Sequence, residues 1–353
     1  MDISRPFHPP PGESEREARL LRLLDGFAGR RVAVIGDLIA DEFIYGRVAR
    51  VSREAPVLIL QYDSTEILPG GAGNAANNVA AFGARTQIIG LAGRDEPGRR
   101  LQASLRHVDR RGLLSPQGYC TPVKTRILAG GIHTAKQQIV RIDRVVSSDY
   151  ASSRAAFTRA ALKAAAECDA ILMSDYGTGL VTPELAAALS SKVDGRARRR
   201  AVPIVIDSRY DLLKYRGLTA CTPNESEVEQ MLDTRIGDNL KALERAGREL
   251  LKRTRMNAVL ITRGSRGMAV FEPDRPTIHV PIYGSDEVAD VTGAGDTVIA
   301  TLALAIAAGG SFDEAARLAN FAAGLVVMKR GTATVSPQEL RDAIVKDHAE
   351  TGD

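Results

Sequence analysis

The segment Asp-Val-Thr-Gly-Ala-Gly-Asp-Thr at 290–297 combines small residues with a carboxylate just before an apolar stretch. Gly293, Ala294 and Gly295 leave backbone N–H groups accessible to an anion, and a helix that begins here adds the positive end of its dipole. Asp296 can accept the proton of an attacking hydroxyl group in line with a terminal phosphate. The segment therefore predicts phosphoryl transfer, with Asp296 as the catalytic base beside an anion hole.

The same turn also has a structural interpretation, in which Gly-Ala-Gly is a tight connection and Asp296 is the N-cap of the helix. Two nucleotide-binding motifs are excluded. No Gly-Lys-Ser/Thr follows, as a Walker motif requires, and the glycine spacing differs from the G-x-G-x-x-G of a dinucleotide fingerprint.

A second glycine-rich segment, Pro-Gly-Gly-Ala-Gly-Asn, offers groups that suit a polyol. Gly70 and Gly71 allow a tight turn into a helix, and the Asn74 amide can bond sugar hydroxyl groups. Asp37 and Asp41 follow an early apolar run and add two carboxylates for paired hydroxyls. The alternative is that these residues only form turns and caps.

Buried strands must position these groups. Short apolar runs at 31–37, 170–175, 203–207 and 258–262 each end in a polar residue, and the last three follow helical patterns. Strands that alternate with helices predict an α/β protein with a mostly parallel sheet, whose ligands bind at the carboxyl ends of the strands.

Two regions break this alternation. Residues from about 42–68 and 119–144 show strand patterns without a long intervening helix, which predicts a small separate sheet that covers the site as a lid. Its unpaired edges favour a homodimer formed through the lid. We expect 1–28 to be a mobile extension and 347–353 to be a tail.

The two glycine-rich motifs, in this order, resemble the signatures of the PfkB (ribokinase-like) carbohydrate kinases, and the resemblance extends over about residues 31–335. It implies a ribokinase-like three-layer sandwich with a β-sheet lid, in one kinase domain at 29–346. It also implies that Asp296 is the catalytic base, that residues 293–295 form the anion hole, and that ATP is the phosphate donor.

Further segments are similar to nucleotide-binding elements of that family. The turn that contains Thr262, Gly264 and Gly267 resembles the phosphate turn, although it can equally be a hairpin. A helical run of small residues between Asn320 and Gly324 can pack against an adenine ring or serve as core. Asp207, which ends a predicted strand, is also assigned to the ATP site.

Asn224 and Glu227 resemble the N-x-x-E element of the family. A carboxylate with an amide three residues earlier suits hydrated Mg²⁺, which is reached through water. A helix start with a near capping box explains the same residues. Asp290 and Thr292 can supply oxygens to a monovalent cation, K⁺, as in relatives.

Within the family, the chain is most similar to heptose 7-phosphate kinases of lipopolysaccharide-core assembly. R-V-S-R-E-A-P-V at 50–57, K-T-R at 124–126, Q-I-V-R-I-D at 138–143 and S-D-Y-G at 174–177 carry this similarity. It implies phosphorylation of the anomeric hydroxyl of D-glycero-D-manno-heptose 7-phosphate to the 1,7-bisphosphate, on the route to ADP-heptose.

A phosphosugar needs cations for its distal phosphate, and Lys124, Arg126 and Arg141 lie in the predicted lid. Each can instead be an exposed charge. Asp175 and Tyr176 belong to the S-D-Y-G segment and are assigned to the sugar site. The related kinases usually continue with Lys where this chain has Thr178, which leaves the cation at that position open.

Composition excludes several other classes. The net charge of +4 is modest, and the basic run at 196–200 has no aromatic platform, which argues against nucleic-acid binding. No apolar stretch reaches the length of a membrane span, and the amino-terminal residues lack a signal core. Three cysteines without metal-type spacing fit a reducing cytoplasm.

Scattered histidines leave no H-x-G-H adenylyltransferase signature, so we expect the second step of the route to belong to another protein. Other interpretations remain open: a kinase of the same fold that acts on a fructose phosphate, ribose or a ketogluconate, a dinucleotide-dependent oxidoreductase, or a non-catalytic sugar- or nucleotide-binding protein. The sequence 36–41 does not fit the dinucleotide fingerprint, and Asp296 disfavours a non-catalytic protein.

Overall fold

The structure is a computed structural model that describes residues 13–130, 136–145, 151–194, 201–284, 290–329 and 331–351. A nine-stranded sheet forms its centre, in the order β13-β12-β11-β10-β9-β8-β1-β4-β5. Its strands are β1 (Arg31–Gly36), β4 (Arg85–Leu91), β5 (Val108–Leu114), β8 (Ala170–Asp175), β9 (Ile204–Ser208), β10 (Ala220–Cys221), β11 (Ala258–Thr262), β12 (Met268–Phe271) and β13 (Ile278–Val280).

Helices cover both faces of this sheet. They are α1 (Glu13–Asp25), α2 (Ala72–Ala81), α3 (Glu96–Ala103), α4 (Ala151–Ala165), α5 (Pro183–Asp194), α6 (Glu225–Leu232), α7 (Leu240–Thr254), α8 (Ala294–Ala307), α9 (Phe312–Val327) and α10 (Pro337–Thr351). Side chains alternate along β1, so that Val32 and Val34 join one core and Ala33 and Ile35 join the other. This confirms the three-layer arrangement.

The sheet is parallel from β11 to β5, and β12 runs antiparallel to β11. Parallel pairing brings the carboxyl ends of the strands to one edge, where loops can form a site. The hairpin β11–β12 confirms the structural interpretation of the turn at 262–267. The predicted strands at 170–175 and 258–262 match β8 and β11.

A separate four-stranded sheet has the order β3-β2-β6-β7. Its strands are β2 (Leu38–Val51), β3 (Leu58–Gly71), β6 (Val123–Gly130) and β7 (Gln137–Arg144). The antiparallel pairs β2–β3 and β6–β7 are joined by parallel pairing of β2 with β6. The second predicted sheet is therefore present, although its first strand begins at Leu38, directly after Asp37.

The amino-terminal prediction is wrong for the part of the extension that the structure describes. Residues from Glu13 form α1, whose Leu20, Leu23 and Leu24 are buried, and Phe27 is fully buried edge-on against Phe82. Apolar residues at helical spacing drive this packing, because they remove hydrocarbon surface from water. Residues 1–12 lie outside the described residues.

The expected tail at 347–353 also begins inside a helix, because α10 continues to Thr351. Residues 352–353 and the basic run at 196–200 are outside the description. Within the described chain, no helix has the length and apolarity that a membrane crossing requires. Cys120, Cys168 and Cys221 form no disulfide bond.

Candidate active site

The predicted anion-binding turn precedes α8. Gly293 has φ of 83° and caps the helix, and Ala294 and Gly295 form its first residues. A left-handed residue directly before a helix suits glycine, since a side chain there is strained. Asp296 lies buried in the first turn, where the first N–H groups of the helix have no partner within the helix.

Asp296 contacts the glycine-rich segment at 69–74, although the two segments lie far apart in sequence. Asn74 Nδ2 donates a hydrogen bond to Asp296 Oδ2 at 2.8 Å. A second link joins the helices, since Thr297 Oγ1 donates to Asn78 Oδ1 at 3.0 Å. The two motifs therefore form one site at the junction of α2 and α8.

Asn74 differs from its predicted role. Its amide donates to Asp296, and its Oδ1 accepts a hydrogen bond from Asn78 Nδ2 at 3.1 Å. The side chain is buried, so its polar groups are used inside the protein rather than presented to a sugar. Asn74 thus orients the carboxylate that the sequence predicts as the base.

Burial raises the pKa of Asp296 to about 6, because removal of water penalises the charged carboxylate. The hydrogen bond from Asn74 and the positive charge of Arg209 oppose this rise. A pKa in this range suits a general base that works near neutral pH. Tyr176 completes the contacts, since its hydroxyl donates to Asp296 Oδ1 at 3.4 Å.

Asp37 lies at the end of β1 and holds the loop after β8. Its Oδ2 accepts from Tyr176 N at 2.8 Å, and its Oδ1 accepts from the Thr178 hydroxyl. Burial raises the pKa of Asp37 to about 6, against the effect of these hydrogen bonds. Asp37 does not line the clefts described below, so its predicted contact with a sugar is replaced here by a contact with the loop.

A cleft of about 370 Å³ lies between the lid and Asp296, which is large enough for a sugar phosphate. We call it the sugar cleft. The lining residues from the sequence predictions are Asp41, Gly71, Lys124, Arg126, Arg141, Tyr176, Thr292, Gly293 and Asp296. Most of the predicted sugar contacts therefore meet in one place.

The cationic side chains of the lid that line the sugar cleft differ in their ion pairing and burial. Arg126 Nη1 pairs with Asp41 Oδ1 at 2.6 Å, and both side chains are largely buried. Arg141 pairs with Asp143 at 2.9 Å in a more exposed position. The ammonium of Lys124 lies 4.8 Å from the centre of the Tyr176 ring, and burial lowers its pKa.

Gly70 explains why the glycines of this motif are needed. A Cβ atom at Gly70 would lie 2.1 Å from Asp41 Oδ2, and one at Gly71 would lie 2.6 Å from the Asp37 carbonyl oxygen. Gly71 also has φ of 56°. The chain here passes so close to the Asp41 carboxylate and to the Asp37 backbone that a side chain does not fit.

Asp175 lies away from the sugar cleft. It is buried and accepts hydrogen bonds from Ser208 Oγ at 2.7 Å, from Tyr215 OH at 2.8 Å and from Gly177 N at 3.0 Å. Asp175 was predicted to bind the sugar, but in the structure it anchors the loop that carries Tyr176.

A second cleft, of about 440 Å³, is also lined by Asp296. We call it the nucleotide cleft, because most of the predicted ATP contacts line it: Asn224, Thr262, Gly264, Gly267, Asn320 and Gly324. A Cβ atom at Gly267 would lie 2.1 Å from the Val280 carbonyl oxygen, and one at Gly324 would lie 2.3 Å from that of Tyr283. These glycines allow close chain packing at the cleft wall.

Asp207 and Glu227 do not line the nucleotide cleft. Asp207 is buried, and its pKa rises to about 7 mainly because of desolvation. Glu227 forms the capping box of α6, with Oε2 accepting from Asn224 N at 2.9 Å. Its Oε1 accepts from Arg209 Nη1 at 2.7 Å, so both carboxylate oxygens already have partners.

Asp290 fixes the loop that carries the anion-binding turn. Its Oδ1 accepts from Thr292 N at 2.9 Å, and its Oδ2 accepts from Gly331 N at 3.1 Å. Both carboxylate oxygens thus have backbone donors. Over the residues that the structure describes, no three His, Cys, Asp or Glu side chains are grouped so as to hold a metal ion.

Sequence reasoning missed Arg209, Tyr210 and Gln138, which also line the sugar cleft. Gln138 lies on β7, three residues before Arg141. Arg209 lies directly after β9, at the edge where parallel strands present ligand-binding residues. A cation at the carboxyl end of a predicted strand was the signal that could have identified it.

Comparison with known proteins agrees with this geometry. The model of the pfkB family of carbohydrate kinases matches residues 30–339. The bifunctional protein HldE of Geobacter metallireducens is 42% identical over 325 residues, which are 90% of this chain and 64% of that protein. HldE of Yersinia enterocolitica is 39% identical over 333 residues, 93% of this chain and 66% of that protein. The chain thus spans slightly less than two thirds of these relatives.

Solved structures show the fold. A ribokinase of Arabidopsis thaliana, complexed with ribose and ATP, superposes with a TM-score of 0.67 at 20% identity, over 90% of this chain and 98% of that one. Phosphofructokinase-2 of Escherichia coli, in complex with potassium, gives a TM-score of 0.67 at 16% identity, over 90% of this chain and 99% of that one. The fold is therefore ribokinase-like, as predicted.

Proposed function

Because this chain belongs to the pfkB family of carbohydrate kinases, we propose that it transfers the terminal phosphate of ATP to the anomeric hydroxyl of a heptose 7-phosphate. The product is D-glycero-D-manno-heptose 1,7-bisphosphate, an intermediate on the route to ADP-heptose and the lipopolysaccharide core. The similarity to HldE proteins and the cationic sugar cleft support this choice of sugar.

One observation carries the proposal: Asp296 lines both clefts, so a sugar hydroxyl in one and a nucleotide phosphate in the other can both reach it. In the proposed reaction Asp296 accepts the hydroxyl proton while the sugar oxygen attacks the terminal phosphorus. The O–P bond to ADP breaks as the new bond forms. The backbone N–H groups at the start of α8 stabilise the charge on the transferring group.

Magnesium fits this site only indirectly. The Glu227 carboxylate already accepts two hydrogen bonds, so an ion carried by ATP would be reached from Glu227 through water. When bound, Mg²⁺ neutralises phosphate charge during transfer. We keep K⁺ at Asp290 and Thr292 as part of the proposal, although both oxygens of Asp290 also hold backbone N–H groups.

The distal phosphate of the sugar needs cations at the lid. We assign this role to Lys124 and Arg141, since Arg126 is already paired with Asp41 in a buried contact. The paired Arg126 instead orients the Asp41 carboxylate toward sugar hydroxyls. A dianion that enters between Lys124 and Arg141 gains charge-assisted hydrogen bonds in a partly desolvated cleft.

The sugar is tested with purified protein, ATP and a panel of acceptors. We expect the highest kcat/KM with heptose 7-phosphate, and lower values with fructose 6-phosphate, ribose and ketogluconate. A higher value with one of the other sugars would reject the heptose assignment but leave the kinase activity intact.

The distal-phosphate site is tested with Arg141→Ala. We expect KM for the sugar phosphate to rise about tenfold or more, with KM for ATP nearly unchanged. Arg144→Ala is the matched control, because Arg144 lies on the same strand, pairs with Glu42 and does not line the cleft. Equal changes in both KM values for Arg141→Ala would remove Arg141 from the sugar site.

We also propose that the protein works in the cytoplasm, where ATP is supplied. We further propose that it forms a homodimer through the lid. The outer lid exposes apolar side chains that a second copy can cover: Val48, Val51, Leu58, Tyr62, Ile139 and Ile142. Light scattering of the purified protein tests this assembly. Ile142→Asp should shift the mass toward the monomer, and a monomeric wild type would reject the dimer.

A further inference from the structure

Arg209 lies where the two clefts meet. Five residues line both the nucleotide cleft and the sugar cleft: Tyr176, Arg209, Val291, Gly293 and Asp296. Among these five, Arg209 carries the only positive charge. A phosphate that moves from nucleotide to sugar must pass this junction. Arg209 therefore lies on the path of the transferred phosphate.

The guanidinium is held in place but remains accessible. Its centre lies 5.1 Å from the centre of the Tyr176 ring, and its Nη1 donates to Glu227 Oε1 at 2.7 Å. The side chain keeps 40% of its exposure. The bond to Glu227 uses one N–H group of the guanidinium, and the side chain lines both clefts, so Arg209 has donor capacity left for a ligand.

Charge balance also requires a cation here. Asp207, Glu227 and Asp296 each interact electrostatically with Arg209. A terminal phosphate would add negative charge beside these carboxylates. Thr178 has a neutral side chain, and its hydroxyl already donates to Asp37. A bidentate guanidinium is the side chain best suited to compensate a phosphate.

We propose that Arg209 binds the terminal phosphate of the nucleotide and stays with this phosphate as it moves to the sugar. Before the nucleotide binds, Glu227 holds the guanidinium at the junction. The proposal rests on the kinase activity and not on the identity of the sugar.

The test compares ATP with ADP, because only ATP has the terminal phosphate. Both affinities are measured by isothermal titration calorimetry in EDTA, without sugar, for Arg209→Gln and Arg209→Lys. We expect Arg209→Gln to weaken ATP binding about tenfold or more and ADP binding by less than about threefold. Arg209→Lys should fall between wild type and Arg209→Gln, since it keeps the charge but loses the bidentate geometry.

Arg31→Gln is the matched control. Arg31 also pairs with a carboxylate, Asp169, but it lies at the amino-terminal end of β1, and the site lies at the carboxyl end of that strand. We expect it to leave both affinities unchanged. Equal losses of ATP and ADP binding in Arg209→Gln, or no loss of either, would overturn the proposal.

A double variant distinguishes phosphate binding by Arg209 from a purely structural role. Arg209→Gln removes the positive partner of the Glu227 carboxylate, which lowers the melting temperature. The double variant Arg209→Gln with Glu227→Gln removes both charges, so we expect the melting temperature to recover while the preference for ATP over ADP stays lost. Recovery of that preference would show that Arg209 only neutralises Glu227. Because no sugar is present, a wrong heptose assignment leaves every outcome unaffected.

Discussion

A single carboxylate, Asp296, is the centre of the site, and its surroundings suit a base. It is 5% exposed, it accepts a hydrogen bond from Asn74, and burial raises its pKa to about 6. The same burial that makes the charged form costly makes it basic enough to take a proton near neutral pH. The proposed activity of Asp296 as a base therefore depends on the burial of its carboxylate, although that burial destabilises the charged form.

Asp296→Asn should reduce kcat by about 10²- to 10⁴-fold while ATP binding remains, because it removes the proton acceptor but keeps the shape. Steady-state kinetics and calorimetry measure the two effects. A variant with kcat within tenfold of wild type would reject Asp296 as the base.

The pH dependence follows from the same pKa. The base must be deprotonated, so kcat/KM should rise between about pH 5 and pH 7 with a midpoint near the pKa of about 6. Stability changes in the opposite direction. A carboxylate whose folded pKa is raised contributes stability below its unfolded pKa of 3.8, and this contribution is lost as pH rises through about 6.

A pH series of kcat/KM for wild type tests this expectation. A rate that stays level from pH 5 to pH 7 would contradict it. Melting temperatures of wild type and Asp296→Asn provide the check on stability, since the variant should gain relative to wild type at pH 8 and not at pH 4.

At the scale of elements, the start of α8 joins the two halves of the site. Gly293 has no room for a side chain, because a Cβ atom there would lie 2.4 Å from Asn74 Nδ2. A Cβ atom at Gly295 would meet no atom within 4 Å. The two glycines of one motif therefore have different reasons to be glycine: Gly293 packs against α2, and Gly295 faces the open space that a phosphate would enter.

These reasons predict different outcomes for two alanine variants. Gly293→Ala should lower both the melting temperature and kcat, since it strains a residue at φ of 83° and displaces the Asn74 amide from Asp296. Gly295→Ala should keep the melting temperature and weaken ATP binding. Thermal unfolding and calorimetry measure both variants, and identical behaviour of the two would disprove the distinction.

At the scale of the whole molecule, α1 belongs to the body that supports the site. It packs on α10, and Arg19 Nε pairs with Glu314 on α9 at 2.8 Å. Phe27, just after α1, is fully buried against Phe82, which follows α2. Since α2 carries Asn74, the amino-terminal segment helps to fix the helix that holds the base.

Phe27→Ala should lower the free energy of unfolding by about 3–5 kcal/mol, because it opens a cavity in a packed core. Val345→Ala, at a half-exposed position on α10, is the control and should change it by less than about 0.5 kcal/mol. Denaturant unfolding measures both. A loss below about 1 kcal/mol for Phe27→Ala would mean that this segment is not part of the cooperative core.

The sequence by itself determined several central strands, the second sheet and the two glycine-rich motifs, because hydrophobic period and glycine spacing are local signals, but it did not mark β4 and β5 of the central sheet. The tertiary structure decided which groups face a ligand. Asp37, Asn74 and Asp175 turned inward to orient other residues, since a buried polar group must find a partner wherever the chain brings one. Arg209 lines the site because the two clefts meet beside it. Residue types and spacing along the chain do not show where two clefts meet.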